Sequence, residues 1–406
     1  MQRRQFNKAI AASLALCAFP TLVRAQAQKL KVGVILPRSG YLGFIGQSCQ
    51  KGADLAPGVI KEILGVDVEL MNADFESNVD TARTRAERLI QEGANVLVGA
   101  FDSGASAAIA QVAEQRGVPF VINIAAAPQI TEQGYKFVFR NFQTAGDIVR
   151  NGLDLIGELF QATNTIPRTA VYMHVNDTFG QAMTKGIGAI LPQRTQLPFK
   201  IVDTIGYDPA AKDLSVEVSK AKSSNADFLL LVCRLQDSII LRREMVKQRW
   251  QPMGIVSPGS PGMYEEQYFK TLGKLSEYSI SNVPWYNPRS NMTKRVEAAF
   301  KKMNPKDDLV FHGLNAGFTF EAILIAADAF KRAKSTDPKT LADAIRKTNI
   351  TEKMTLGGPI KFNAKGQVEG IGSACVQNLN LRPTVVLPAN AATAKPVFPV
   401  PGYKKA

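Results

Sequence analysis

The sequence of 406 residues is poor in the residue types that most catalytic and metal sites require. Its two histidines, His174 and His312, are neither paired nor part of an HExxH motif, and its four cysteines include no CxxC pair. The GxSxG, Walker and protein-kinase motifs are also missing. We therefore predict no catalytic residues, no metal site and no cofactor, and we expect both histidines to be structural or solvent-facing.

Acidic residues are missing from the first 27 positions, which carry four basic residues and an apolar run over 9–19. The run is too short to cross a bilayer, and small residues follow it, as in a secretory signal peptide. Residues 3–8 (Arg-Arg-Gln-Phe-Asn-Lys) resemble the twin-arginine export motif, with the general secretory route as the alternative. We predict cleavage after Ala25 or Ala27 and a periplasmic mature protein.

Cysteines are few in the predicted mature chain. Cys17 would leave with the signal segment, in which residues 14–17 resemble a lipoprotein box only weakly, so a lipid anchor is the less expected alternative. Cys49, Cys233 and Cys375 would remain. An odd number of cysteines in an exported protein permits one disulfide with a free thiol, or three buried thiols, and spacing does not choose between them.

Long apolar runs are missing after the signal segment, where no stretch approaches eighteen apolar residues. The formal charge is +14, and the four positive residues of the signal segment leave +10 in the mature chain. Basic residues are dispersed with acids beside them, as in residues 83–88, which is typical of a solvated surface rather than a nucleic-acid site. The length and the 45% of hydrophobic residues are sufficient for two domains.

Short apolar segments and amphipathic segments alternate along most of the mature chain. A first series of predicted strands spans residues 29–124 and a second spans 169–257, with helices between the strands. Helices then dominate from 292 to 347, and the chain ends in a short hairpin over 357–368 and a proline- and alanine-rich tail. The alternation indicates an α/β chain with parallel sheets and helices on both faces.

The turn over residues 99–106 lies between a predicted buried strand at 95–98 and a predicted helix over about 106–116. Ser103 is expected near the helix N-cap, where a hydroxyl and unpaired backbone N–H groups favour a carboxylate or a phosphate. From these residues alone, an ordinary serine cap with Gly104 easing the turn is the more common arrangement. In open parallel sheets, however, ligands bind beyond the carboxyl ends of the strands, and this turn lies at such an end.

Five motifs occur together in the order and spacing of a known family. They lie at residues 32–37 with 39–40, 99–106, 117–119 with 125–128, 177–180, and 357–366. In these motifs the chain resembles the type I periplasmic ligand-binding proteins of ABC transporters, specifically the branched-chain amino acid (leucine/isoleucine/valine) binding family, over about residues 29–387. The resemblance implies two doubly wound parallel-sheet lobes, joined by a three-strand hinge, that close over a small molecule.

The resemblance also implies domain bounds and partners. An inner-membrane ABC permease is the expected partner of a monomeric binding protein, and no nucleic acid is expected. The predicted bounds are 28–143 plus 285–355 for lobe 1, 146–282 plus 357–406 for lobe 2, and 143–147, 281–285 and 355–358 for the hinge.

The sequence departs from the family pattern at the ligand site. In the family, a hydroxyl at the position of Ser103 and backbone groups near 124–126 hold the carboxylate and the ammonium of an amino acid. Here Ala126 stands where a Thr is usual, Phe179 where a Tyr is common, and Gly259 where an acid pairs with the ammonium. An unpaired buried ammonium would cost several kcal/mol, so these departures bear on the choice of ligand.

Two charged residues could replace the missing contacts. Asp102 could pair with an ammonium group or cap the helix beside Ser103, and both alternatives stay open. Arg234 could grip a second carboxylate or an aromatic acid with two N–H groups, although a solvated place at a strand end is the simpler interpretation. The predicted ligand-binding residues are Ile45, Phe101, Asp102, Ser103, Gly104, Ile124, Ala125, Ala126, Phe179 and Arg234.

The sequence therefore predicts the solute-binding component of an ABC uptake transporter for a small carboxylate-bearing ligand, either an amino acid or an apolar or aromatic acid. The sharper hypothesis is a ligand with one carboxylate and an apolar or aromatic body rather than a standard α-amino acid. One alternative is a sensory binding protein for amides or related molecules that acts on a membrane receptor. A periplasmic hydrolase is the weaker alternative, because no base for catalysis can be recognised.

Overall fold

The computed structural model describes residues 29–404. The predicted signal segment, its cleavage points and Cys17 lie outside the described residues, as do the last two residues. The strands are β1 Leu30–Leu36, β2 Val68–Asp74, β3 Val96–Gly99, β4 Phe120–Ile122, β5 Val138–Arg140, β6 Thr169–Val175, β7 Lys200–Tyr207, β8 Phe228–Val232, β9 Ile255–Ser257, β10 Ile280–Pro284, β11 Ser373–Leu379 and β12 Arg382–Leu387. The α-helices are α1 Gly43–Leu64, α2 Val79–Gln91, α3 Ser103–Arg116, α4 Ala145–Ala162, α5 Thr178–Ile190, α6 Ser215–Ser223, α7 Leu235–Lys247, α8 Glu266–Leu272, α9 Asn291–Met303, α10 Gly313–Ala333 and α11 Pro338–Arg346.

The strands form two sheets. The first has the order β2-β1-β3-β4-β5, and all of its neighbouring strands are parallel. The second has the order β12-β11-β10-β9-β8-β6-β7, in which the strands from β10 to β7 are parallel. The predicted α/β fold with two parallel-sheet lobes is confirmed. The expectation of only a proline- and alanine-rich tail after the hairpin is wrong, because residues 373–387 form the antiparallel pair β11–β12 at the edge of the second sheet.

Helix α10 is the central helix of the first lobe. It packs against α1 and against the sheet strands β1, β3 and β4. Within residues 29–404 it is the one helix long and apolar enough to cross a membrane, and 94% of its most apolar 18-residue window is buried inside the protein. Its apolar composition therefore belongs to the core of the lobe.

The chain passes between the two sheets three times, over residues 141–144, 285–290 and 347–372. The third crossing is fixed to α10 by the buried carboxylate of Glu321, which accepts two consecutive backbone N–H groups of that crossing at 2.7 and 2.9 Å. These crossings overlap the predicted hinge segments. The predicted lobe bounds and the hinge motion stay predictions.

Three helices begin between the sheets, at the carboxyl ends of strands. Asp102 caps α3 and Asp177 caps α5, and each carboxylate accepts a backbone N–H of its helix at 2.8 Å. Arg234 is the N-cap residue of α7. Helix α3 starts at Ser103, earlier than the predicted start near 106, because Asp102 rather than the serine supplies the cap.

The thiols and the histidines are buried. Cys49, Cys233 and Cys375 are all free and buried, so of the two alternatives the structure has three buried thiols. Both histidines also lie inside the fold rather than facing solvent.

Candidate functional site

A cavity lies between the two sheets, at the carboxyl ends of their strands. It encloses about 360 Å³ of space free of protein atoms, but the centre of a water molecule can reach only about 20 Å³ of this space. The cleft is therefore nearly closed around a narrow interior. Its wall consists of Phe101, Ser103, Ile124, Ala125, Ala126, Phe142, Phe179, Arg234, Gly259, Pro261, Tyr264, Val283 and Leu314.

A larger cavity, in which the centre of a water molecule can reach about 560 Å³, lies at the opposite, amino ends of β9 and β10. It is open to solvent and is lined by α7, the β11–β12 turn and the C-terminal segment. The site is placed in the closed cleft, because charged and aromatic side chains from both sheets converge there.

Most of the predicted ligand-binding residues lie in the wall of the cleft. They are Phe101, Ser103, Ile124, Ala125, Ala126, Phe179 and Arg234. Asp102 and Gly104 lie beside the cavity at the start of α3, and Ile45 is buried within α1. That these residues bind a ligand stays a prediction.

Sequence reasoning missed several residues of the wall. Pro261 and Tyr264 follow the carboxyl end of β9, so the rule that ligands bind beyond strand ends could have found them. Phe142 and Val283 come from the first crossing and from β10, and Leu314 comes from α10. These three are apolar residues without a chemical signature, and only the fold brings them to the cleft.

Ser103 is buried beside the cavity, with 1% of its surface exposed. Its hydroxyl oxygen accepts hydrogen bonds from the N–H groups of Ala126 and Ala127 at 3.2 and 3.3 Å. Because two bonds engage the lone pairs of this oxygen, its hydrogen is left to be donated, and residues 29–404 supply no acceptor for it. The N–H of Ala125 likewise has no acceptor among the described residues. Both donors belong to residues that line the cavity.

The carbonyl groups of the same segment are already engaged. Nη1 of Arg140 donates to the carbonyl oxygens of Ala125 and Ala127 at 3.2 and 2.7 Å. The carbonyl of Ala126 accepts the N–H of Ala145 at 2.6 Å. Segment 125–127 thus offers the cavity donors rather than free acceptors, which suits a carboxylate better than an ammonium.

Arg234 connects the two lobes across the cleft. Its Nη2 and Nε donate to Oδ2 of Asp177 at 2.8 and 3.1 Å, and Nη2 lies 3.3 Å from Oδ2 of Asp102. The guanidinium carbon lies 4.6 Å from the ring centroid of Phe179 and 5.4 Å from that of Phe101. Arg234 is 5% exposed, so its interpretation as a solvated residue is wrong: carboxylates and rings from distant parts of the chain enclose it.

Burial and charge pairing set the protonation of this cluster. Burial by itself lowers the pKa of Arg234, but Asp177 and Asp102 outweigh it and raise the pKa above its usual value, so the guanidinium stays charged. Burial raises the pKa of Asp102, while Arg234 opposes that rise. Of the two interpretations of Asp102, the structure has the helix cap: Oδ1 accepts a helix N–H and Oδ2 faces Arg234.

Gly259 lines the cavity at the position where the resemblance leads one to expect an acid. Its φ is 149°, in the region that favours glycine, and a Cβ at this position would lie 1.9 Å from Cγ2 of Ile148. An acidic side chain therefore does not fit here without displacing its neighbours. None of the described residues of the wall has a carboxylate side chain that could replace it.

Tyr264 brings a second hydroxyl to the wall. Burial raises the pKa of Tyr264 well above its usual value, so the hydroxyl stays protonated. The ring packs edge-on against Trp285, with 5.2 Å between the centroids. Among residues 29–404 the hydroxyl has no hydrogen-bond partner, and it belongs to a residue that lines the cavity.

The chemistry that the wall offers is that of binding. Two hydroxyls, one guanidinium and backbone N–H groups lie among aromatic and aliphatic side chains. In the part of the chain that the structure describes, no group of three or more His, Cys, Asp or Glu residues is arranged to hold a metal ion.

Comparison with known proteins identifies the family. The family model described as periplasmic binding protein matches residues 29–377. The chain is 23% identical to the Leu/Ile/Val-binding protein homolog 8 of Brucella abortus over 412 residues, covering 96% of this chain and 98% of that protein. It is 24% identical to the leucine-, isoleucine-, valine-, threonine-, and alanine-binding protein of Pseudomonas aeruginosa over 361 residues, covering 88% and 92% of the two chains.

Two solved structures have the same fold. One is the branched-chain amino acid transporter substrate binding protein LivJ from Streptococcus pneumoniae in complex with isoleucine, with a TM-score of 0.73, 19% identity, and 92% of this chain and 100% of that chain covered. The other is the solute binding protein of an ABC transporter from R. palustris in complex with benzoate, with a TM-score of 0.75, 18% identity, and 91% and 100% covered. The family consists of substrate-binding proteins rather than enzymes. The chain belongs to the periplasmic binding protein family, with the type I fold of its branched-chain amino acid group.

Proposed function

We propose that the chain is the periplasmic solute-binding component of an ABC uptake transporter, and that it closes over a small molecule with one carboxylate and an apolar or aromatic body. The observation that carries the proposal is the polarity of the cleft wall. Segment 125–127 has its carbonyls engaged and an N–H free, and none of the described lining residues has a carboxylate side chain.

The carboxylate end of the ligand would meet donors. The hydroxyl of Ser103 and the N–H of Ala125 lie in the wall without an acceptor of their own. Arg234 adds Nη1, which makes no hydrogen bond within residues 29–404. Hydrogen bonds to a charged group contribute about 1.5–3 kcal/mol each, so two or three of them are sufficient to select an acid.

An ammonium group would find no carboxylate side chain in the described wall. The carbonyls of segment 125–127 already accept hydrogen bonds, and Gly259 leaves no room for an acidic side chain. Asp102 and Asp177 lie behind Arg234, outside the described wall of the cavity. Burying an ammonium without a carboxylate partner costs several kcal/mol, which disfavours a standard α-amino acid relative to the same acid without its amine.

The remaining wall suits a slender apolar body. Phe101, Phe142 and Phe179 contribute aromatic surface, and Val283 and Leu314 contribute aliphatic surface. The narrow interior favours a planar ring or an unbranched aliphatic end over a bulky group. The benzoate named for the R. palustris structure and the isoleucine named for the streptococcal one mark the two classes of ligand to compare.

Closure links the cleft to transport. Arg234 contacts Asp177 in its own lobe and Asp102 in the other, so the ligand site and the contact between lobes share one residue. A ligand that touches both lobes stabilises the closed form, and an inner-membrane permease would recognise that form. A membrane receptor would meet the same surfaces, and no feature of the cleft favours it over a permease.

A thermal-shift screen of residues 28–406 tests the proposal. The panel contains benzoate, 4-methylpentanoate, leucine, benzamide, succinate and urea. A ligand at about a hundred times its dissociation constant adds about 2.7 kcal/mol to the free energy of unfolding and raises the Tm by a few degrees. We expect shifts with benzoate or 4-methylpentanoate and none with benzamide or urea. A larger shift with leucine than with 4-methylpentanoate, or a shift with the amides alone, would contradict the proposed ligand class.

A further inference from the structure

Arg140 is a fully buried cation behind the ligand cleft. It is the last residue of β5 and has 0% of its surface exposed. Its Nε donates to Oε1 of Gln367 at 2.6 Å and its Nη2 to the hydroxyl of Thr131 at 2.7 Å, while Nη1 takes the two carbonyls of segment 125–127. All of these acceptors are neutral. Within residues 29–404 the guanidinium forms no ion pair.

A buried charge without a counter-ion is unfavourable and therefore calls for an explanation. Burial lowers the pKa of Arg140 to about 10, with Asp147 and Glu132 opposing the shift from a distance, so the group is still charged at neutral pH. Arg234 differs in this respect, because two carboxylates already balance its charge. Arg140 is thus a cation near the cleft that forms no ion pair with any described carboxylate.

A chain of hydrogen bonds runs from Arg140 to the cavity. Nη1 donates to the carbonyl of Ala125, and the N–H of the same peptide group, on Ala126, donates to the hydroxyl oxygen of Ser103. The hydroxyl hydrogen of Ser103 is then left for the cavity. Each donation polarises the next group, so a charge at one end strengthens the donor at the other.

We propose that Arg140 is a positioning residue for the ligand carboxylate. The carboxylate is the counter-ion of Arg140 across one peptide group and the Ser103 hydroxyl, and Arg140 thereby sets the preference for a carboxylate over a neutral amide. This inference rests on the proposed function, since it requires a carboxylate in the cleft.

The same residue ties the cleft to two of the crossings. The amide nitrogen of Gln367 donates to the carbonyls of Phe142 and Val368 at 2.6 and 3.0 Å, and the backbone N–H of Val368 donates to the carbonyl of Arg140 at 3.0 Å. The groups that would donate hydrogen bonds to the ligand carboxylate are therefore fixed in position relative to the first and third crossings. The donor set and two of the crossings are thus connected to the same buried group.

The test compares a carboxylate with its neutral isostere by isothermal titration calorimetry. The probes are benzoate with benzamide, and 4-methylpentanoate with 4-methylpentanamide. In Arg140→Gln the charge is lost, and we expect the carboxylate to bind roughly tenfold more weakly or worse, while the amide changes less than about threefold. Arg140→Lys keeps the charge without the fork and is expected to recover part of the carboxylate affinity.

Two further variants separate charge from folding. Arg346→Gln removes another arginine that donates to two backbone carbonyls, those of Ala364 and Lys136, and it should leave the carboxylate-to-amide ratio unchanged. Thr131→Asp leaves Arg140 in place and gives it a carboxylate partner, so it should lower the ratio even if Arg140→Gln does not fold. Circular dichroism and Tm establish which variants are folded.

The outcomes distinguish the inference from the function on which it rests. If the wild-type protein binds neither acid, the proposed ligand class falls and the inference falls with it. In a second outcome the wild type binds an acid, but Arg140→Gln weakens the binding of acid and amide by the same factor. In a third, Arg140→Lys and Arg140→Gln have the same affinities and Thr131→Asp has no effect. In both the proposed function stands. In that case Arg140 is a purely structural residue and the inference is wrong.

Discussion

Replacing Ser103 by alanine is predicted to weaken the binding of a carboxylate without preventing the protein from folding. The hydroxyl oxygen accepts two N–H groups at 3.2 and 3.3 Å, and its hydrogen is free to be donated into the cavity. Alanine removes the ligand's donor and also leaves two N–H groups without their acceptor. The variant should therefore affect affinity and stability together, and a control is needed to separate the two.

The magnitude follows from the charge of the acceptor. A hydrogen bond to a charged group contributes about 1.5–3 kcal/mol, which corresponds to a loss of affinity of about 10- to 150-fold. The loss for a neutral amide of the same shape should be smaller, because a neutral hydrogen bond contributes about 0.5–1.5 kcal/mol. The dissociation constants of benzoate and benzamide, measured by calorimetry, give both values.

Ser106 provides the matched control. It lies on the same turn of α3, is fully buried, and its hydroxyl oxygen accepts the N–H of Ala100 at 3.4 Å, but it does not line the cavity. Ser106→Ala should lower the Tm without changing the affinity for benzoate. Equal losses of affinity in Ser103→Ala and Ser106→Ala, or no loss in Ser103→Ala, would refute the assignment of Ser103 as a carboxylate donor.

Three further predictions concern charge, pH and backbone conformation. Arg234→Met should lower the free energy of unfolding, measured in urea, by about 3–5 kcal/mol because two buried carboxylates lose their cation. The control Arg88→Met, which removes an exposed ion pair, should lower it by less than about 1 kcal/mol. Equal losses in the two variants would contradict the account. Burial raises the pKa of Glu265 from 4.5 to about 8, so its folded form binds a proton more tightly than its unfolded form and stability falls as the pH rises through this window. The advantage of Glu265→Gln over the wild type in free energy of unfolding should therefore grow from about pH 4.5 to pH 8 and reach a few kcal/mol at the upper end. The Tm of the variant should rise relative to the wild type over the same range, and parallel Tm profiles would show that burial of the carboxyl has no such effect. Gly259→Ala should destabilise the protein by more than about 2 kcal/mol and abolish ligand binding. The control Gly58→Ala should be neutral or stabilising, because a Cβ at that position meets nothing within 4 Å. Similar Tm values for the two variants would argue against a required glycine at 259.

The order of β1 to β4 and of β6 to β9, with the helices between them, could be predicted because most of these strands are short apolar runs and the helices carry a separate amphipathic pattern. The strand-end turn at 99–106 was found for the same reason. The short strands β5 and β10 were not predicted. The pair β11–β12 was missed because its sequence mixes polar residues such as Gln377 and Asn378 with the apolar ones and contains Pro383, which weakens a strand pattern at an edge. The predicted start of α3, near residue 106, differs from the observed start at Ser103. Asp102 and Ser103 are both good N-cap residues, and sequence alone does not rank them.

The burial of Arg234 and Arg140 could not be predicted locally. The partners of Arg234 are Asp177 and Asp102, which lie 57 and 132 positions away in the chain, and their positions depend on how the two sheets face each other. Arg140 holds the segment next to the cavity, yet it carries no motif that marks a binding residue. Its partner Gln367 comes from the third crossing, 227 positions later. In both cases the charged group is explained by tertiary contacts rather than by its neighbours in sequence.

The most direct test of the central claim is a calorimetric titration of residues 28–406 with 4-methylpentanoate and with leucine, which differ only in the α-ammonium group. Segment 125–127 offers the cavity donors and no free carbonyl, and Gly259 excludes an acidic side chain, so the ammonium of leucine would be buried without a carboxylate partner. The account predicts that 4-methylpentanoate binds at least about tenfold more tightly than leucine. Tighter binding of leucine would contradict it and would mean that the cleft provides an ammonium site that this arrangement of residues does not have.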